Sequence, residues 1–221
     1  MRARRLMLAI SAMAAASACL GQDSSKFASA DTTYRYLREV GRVRAMVNTD
    51  NRETIPNLLQ GGDPAALAAE AKTLDGYKQT VDNIDPTDVD PEAVQFKDSF
   101  KTIVESYRSV CLDAAELYKE VAAADSKPGA SPLLYAKGGK LELMLNGTLA
   151  AMDSLLGVLD RVDKGASPGG AALQPLVDKL HADEDRLKAA HDSHHDLTAK
   201  LKADFAERYQ GTDWTTREIL P

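Results

Sequence analysis

Strand signal is the first thing this chain lacks. No run alternates β-branched or aromatic residues with polar ones, which argues against all-β and α/β folds. Tryptophan occurs once, cysteine twice, and aromatics make up 5% of 221 residues, too few to build a stacking platform for sugars or bases. The two cysteines, Cys19 and Cys111, form neither CxxC nor CxxCH, so thioredoxin-like redox chemistry and c-type haem attachment drop out. There is no GxSxG, no HExxH, no phosphate-cradling glycine loop, and no Glu-x-x-His of the kind a di-iron bundle needs. An enzyme is therefore not expected. Positive charge is also short once the first eighteen residues are set aside. The remaining 203 residues carry 24 Lys and Arg against 33 Asp and Glu, a net charge of −9. So acidic a surface disfavours nucleic acid and anionic membrane faces as partners. No apolar run reaches the roughly 20 residues that span a bilayer.

What is present begins at the N-terminus. Arg2, Arg4 and Arg5 form a basic head, and residues 6–16 are an uncharged, mostly apolar run ending in small residues. A basic head, a short apolar stretch and a small-x-small end make a secretory signal over residues 1–18. Ala16-Ser17-Ala18-Cys19 resembles the lipobox of bacterial lipoproteins, four residues in all and none of them in the body of the protein. The resemblance implies that Cys19 receives a diacylglycerol and becomes the new N-terminus. Ala16 stands where leucine is most common in that class, which leaves plain cleavage open as the alternative. Leu20, rather than Asp, suits sorting to an outer membrane, with the body facing the periplasm or the cell surface. Residues 19–33 (small, polar and poor in apolar side chains) read as a flexible tether.

Beyond the tether the spacing is helical throughout. Tyr36, Val40, Val43 and Val47 predict a helix over about 32–60, with a break near Thr49 because Asp50-Asn51-Arg52-Glu53 matches a capping box. Asp63-Pro64 and Asp90-Pro91 each read as an N-cap followed by proline at the first helical position. They open helices over 64–84, with Leu67, Ala71, Leu74 and Val81 inward, and over 91–124. In the latter, Phe96, Phe100, Ile103, Tyr107, Val110, Ala114, Leu117 and Val121 form a heptad seam. Cys111, among apolar neighbours, reads as a small buried hydrophobe. Ser131-Pro132 predicts a helix over 132–163 with Leu134, Leu141, Leu145, Met152, Leu155, Leu159 and Val162 along its seam, interrupted by Gly138 and Gly139. The last helix is expected over 171–209, with Leu173, Leu180, Leu187, His194 and Leu201 in one row. The expectation is an all-α, elongated up-and-down bundle of four to five helices, three of them long, over 34–211. A docked tail at 212–221 carries Trp214.

All four histidines fall in the last helix: His181, His191, His194 and His195. His191 and His195 are four apart and share a face, with Asp192 beside them, so these three could contribute to a metal site for zinc. The competing reading is a charged, solvated face that also bears Lys188. His194 lies in the leucine row instead, where a polar residue fixes register or pairs with another buried polar group. Haem ligation with Met46 or Met152 is a further possibility, though no motif or spacing points to it. Arg35, Arg38 and Arg42 line one face of the first helix, with Arg44 nearby. They suit either an anionic ligand or a salt-bridged solvent face. Together these features predict an exported, lipid-anchored envelope protein that uses no cofactor. It would attach to the membrane through its N-terminal lipid and bind a protein or cell-wall partner. A periplasmic zinc- or haem-binding bundle is the alternative.

Overall fold

A computed structural model describes residues 30–125, 147–161 and 170–208. Within them every regular element is helical and none is a strand, so the protein is an all-α bundle. Helix α1 covers residues 30–49, a π-helical turn Asp50–Thr54, α2 Ile55–Gly61, α3 Pro64–Asp82, α4 Pro91–Asp125, α5 Thr148–Leu159 and α6 Gly170–Arg208. At 1.5 Å per residue, the 35 residues of α4 and the 39 of α6 span about 52 and 58 Å. No helix among the described residues is long and apolar enough to cross a membrane.

The seams predicted from spacing are the core. Tyr36, Val40, Val43 and Val47 of α1, Leu67, Ala71, Leu74 and Val81 of α3, and all eight seam residues of α4 are buried, as is Cys111. In α6, Leu173, Leu180, Leu187, His194 and Leu201 are buried together. Neighbouring helices run antiparallel, as charged pairs across them record. Asp82–Lys101 at 2.6 Å, Lys78–Glu105 at 3.7 Å and Asp75–Arg108 at 2.6 Å descend α3 as they climb α4. Arg186–Ser109 at 3.2 Å and Lys179–Glu116 at 2.9 Å do the same between α6 and α4. These exposed pairs mark alignment more than they stabilise it, each contributing about 0–1 kcal/mol.

The turns follow their local chemistry. Asp63 Oδ1 accepts from the N–H of Ala65 (2.9 Å) and Ala66 (3.3 Å), as an N-cap should. Gly62 closes α2 at φ 64°, and a Cβ there would stand 3.0 Å from Cε1 of Tyr118. Glycine is therefore required twice over, for the left-handed backbone and for the ring. The Tyr118 hydroxyl donates to the Leu59 carbonyl, tying α4 to α2.

Four expectations are corrected. First, the helix does not break near Thr49, which keeps φ −65° and ψ −46°; α1 runs through the π-helical turn into α2. Val47 and Ile55, both buried, are eight residues apart rather than seven. In a straight α-helix that spacing would swing Ile55 about 80° off the row. The wider π turn absorbs the extra residue. It also accommodates Pro56, which lacks the N–H that a regular helix would need. Second, no helix runs through Gly147, whose φ of 116° and ψ of 165° are non-helical; α5 starts at Thr148. Third, the long helical runs among the described residues are 30–61 (through the π turn), α4 and α6, while α5, described from Thr148, is short. Fourth, residues 30–33, assigned to the tether, are already helical. Ala30 and Thr33 are buried, and the Thr33 hydroxyl accepts from the Asp90 N–H at 3.1 Å. The signal sequence, Cys19, Leu134, Leu141, Leu145, Gly138, Gly139, Val162 and the tail with Trp214 lie outside the described residues.

Candidate functional site

Three groups of polar residues in the interior are of interest. The first is the seam between α4 and α6, where the histidines lie. His194 replaces a leucine in the α6 row and stacks on Phe96 of α4, ring centroids 4.6 Å apart, with Phe100 at 6.0 Å. Its Nδ1 is 2.6 Å from Oγ of Ser99. The Ser99 hydroxyl is also within hydrogen-bond reach of the Phe96 carbonyl, at 3.1 Å. The other ring nitrogen, Nε2, is buried without a partner. Burial, then the nearby Arg44 and His191, hold the ring's pKa down at about 4, so it is neutral near pH 7.

His191, expected on the solvated face, turns inward instead. Its Nε2 is hydrogen-bonded to the Tyr107 hydroxyl at 2.7 Å, with the two rings edge to face, and burial lowers its pKa. One helical turn on, His195 is exposed and lies 3.8 Å from Asp196, and Asp192 is exposed. The three residues considered for zinc are thus not brought to one point. Among the described residues no group of three His, Cys, Asp or Glu side chains is arranged to hold a metal ion. His181 sits apart, 3.2 Å from Asp160 at the end of α5. Of the arginines on α1, Arg35, Arg38 and Arg42 are exposed, and Arg35 pairs with Asp31. Arg44 is partly buried over the Phe96 ring, 5.9 Å from its centroid.

The second place is the joint around the π turn, which sequence reasoning missed. Asp50, first residue of that turn, is 9% exposed, and Glu70 of α3 is 8% exposed. Asp50 Oδ1 accepts from the Thr54 hydroxyl at 3.0 Å, and the Tyr77 hydroxyl donates to the same carboxyl group. Asp50 Oδ2 and Glu70 Oε1 are buried without a partner. Burial first, and the charge of Asp50 second, push the Glu70 carboxyl up to about 7. The Cys111 thiol on α4 is raised by burial and by both carboxyls. Asn51 adds a link to α5. Its Oδ1 accepts from the Thr148 N–H at 3.1 Å, and its carbonyl accepts from the Thr148 hydroxyl at 3.2 Å. That carbonyl is spare for a physical reason: the N–H of Ile55 bonds to Asp50, and Pro56 has none to give.

The third is Asp183, 2% exposed, between α6 and α4. Burial, then a hydrogen bond with Asp113, push its carboxyl up to about 6, while Ser109 and Arg186 act the other way. The residues missed at the second and third places occupy seam positions: Glu70 between Leu67 and Leu74, Asp183 between Leu180 and Leu187, and Asp50 three after Val47. A charge inside an apolar row is the signal that finds them. Comparisons with protein-family models, with curated proteins and with solved structures each find no match.

Proposed function

We propose that this is an exported, lipid-anchored helical bundle with a non-enzymatic binding or structural role in the cell envelope. The observation that carries it is the pairing of a signal-like head with Ala16-Ser17-Ala18-Cys19. The state of the other cysteine supports it. Cys111 is a free, buried thiol whose pKa is raised, so it is poorly placed to pair with Cys19. That leaves Cys19 to a lipid. From Cys19 to the first described helical residue, Ala30, the chain can reach at most about 40 Å, which keeps the bundle close to the membrane it hangs from. Leu20 favours the outer membrane. The partner of this reading is another protein or the cell wall, met along the exposed faces of helices about 50 Å long.

The test is metabolic labelling with radioactive palmitate. The wild type should take up label and partition into detergent, and Cys19→Ala should do neither. Equal labelling of the two, or none in the wild type, rules out the anchor. The zinc- or haem-binding reading has less support. Its histidines are engaged with Tyr107, Ser99, Asp160 or solvent rather than with one another.

A further inference from the structure

We infer that His191 and His194 form an acid-released latch, through which α6 from His191 onward lets go of α4 while the rest of their seam stays closed. The latch belongs to the folded body and is independent of Cys19. The two residues are three apart on α6, so both rings lie on one side of the helix. Each meets a hydroxyl of α4. His194 Nδ1 is 2.6 Å from Oγ of Ser99, and His191 Nε2 is 2.7 Å from the Tyr107 hydroxyl. Ser99 and Tyr107 are eight residues apart, so the two bonds clasp about 12 Å of α4. Among the described residues beyond His194, Leu201 is the one buried side chain of α6. The clasp is therefore the last polar fastening before that end of the helix.

An imidazolium carries an N–H on both ring nitrogens. In His194 one of these is Nε2, buried with no acceptor, in a ring packed on Phe96 and Phe100. That holds whichever nitrogen bears the proton of the neutral ring. In protonated His191, Nε2–H has to donate to the Tyr107 oxygen, and the buried Tyr107 hydroxyl can no longer give its own proton to the ring. The charged and titratable neighbours add to the cost. From α1 comes Arg44, beside Phe96, whose charge opposes a proton on either ring. From α4 comes Tyr107, kept neutral by burial. From α6 come the rings themselves and the exposed Asp192, which favours a proton on His191. Among the described residues the histidine–carboxylate pairs belong to His181 and His195. Burial, the first cause, lowers the pKa of both latch rings. Neutral rings therefore hold the seam fully above about pH 6.5, and that contribution is lost as the pH falls toward 4. The middle of the seam responds in the opposite sense. Asp183, pushed up to about 6, contributes most in acid, and Arg186–Ser109 and Lys179–Glu116 join the helices there without a histidine. Acid should thus open the seam from the His191 end, uncovering Phe96 and Phe100.

The test uses the purified full chain, with nuclear magnetic resonance and hydrogen exchange as readouts. Ring-proton titrations should give midpoints for His191 and His194 below about 6.5, the value of an unperturbed histidine. Exchange, corrected for the intrinsic effect of pH, should show the amides of residues 191–201 opening at least about tenfold faster at pH 4.5 than at pH 7. The amides of residues 176–187 should change by less than about threefold. His191→Gln combined with His194→Leu removes both titrations, and residues 191–201 should then change no more than residues 176–187 do. Ordinary midpoints for both rings overturn the inference, as does acid opening that is absent, spread evenly along α6, or greater at residues 176–187. So does a double variant that opens at residues 191–201 as the wild type does. The wild-type titrations and exchange map decide the matter even where the variant fails to fold.

Discussion

His194 occupies the place of a leucine in the row from Leu187 to Leu201, and the energetic effect of that exchange depends on pH. The folded ring titrates at about 4 and the unfolded ring near 6.5. Its depressed pKa means the unfolded chain binds the proton more readily. The neutral ring's stabilisation is thus full above pH 6.5 and is lost as the pH falls toward 4, a swing on the order of 2–3 kcal/mol. His194→Leu removes both the titration and the unpartnered Nε2, while Ser99 keeps its bond to the Phe96 carbonyl. The variant should match or exceed the wild type by up to about 1 kcal/mol at pH 7. It should gain clearly more at pH 4.5, read from urea unfolding at the two pH values. A loss at both would mean that the Ser99 bond and the Phe96 stack outweigh the orphaned nitrogen.

Among the elements, α5 depends most on a neighbour. Twelve residues make a helix too short to stand alone in water. Its first turn is capped from outside by Asn51, because Gly147 at the N-cap has no side chain to do so. Asn51→Ala should cost about 1 kcal/mol, the usual loss of a cap. The thermal midpoint should then fall by about 2–4 °C, with exchange in α5 quickening before that in α4 or α6. An unchanged midpoint and unchanged α5 exchange would show the cap to be dispensable. This is also where the sequence was hardest to read. The slip of one residue between Val47 and Ile55 is visible in the spacing. Asp50-x-x-Glu53, however, imitates a helix start, and that local pattern masks the continued burial of the row. Asp50 is in fact buried and spends its side chain on Thr54 and Tyr77. The helix starts at Asp63-Pro64 and Asp90-Pro91 were legible because nothing distant competes with them.

Across the whole molecule two sets of buried groups pull stability in opposite directions. His191 and His194 favour folding less as the pH falls, and Glu70 and Asp183 favour it less as the pH rises. Between about pH 4.5 and 6.5 these trends offset one another. Thermal midpoints should therefore tilt upward with pH in Glu70→Gln and downward in His194→Leu, relative to the wild type. The double variant should return toward the wild-type slope, and parallel slopes in all four proteins would deny the balance. The all-helical class and the leucine and phenylalanine seams followed from periodicity alone. Pairings such as Tyr107 with His191 and Asn51 with Thr148 did not, because they join positions 84 and 97 residues apart. The second of these separations bears on the order of assembly. The short loop between α3 and α4 lets those helices meet at small entropic cost, whereas Asn51 and Thr148 must close a long stretch of chain. The Asn51 clasp is therefore a late event on the route to the native state. Its loss should leave the refolding rate nearly untouched and appear as faster unfolding.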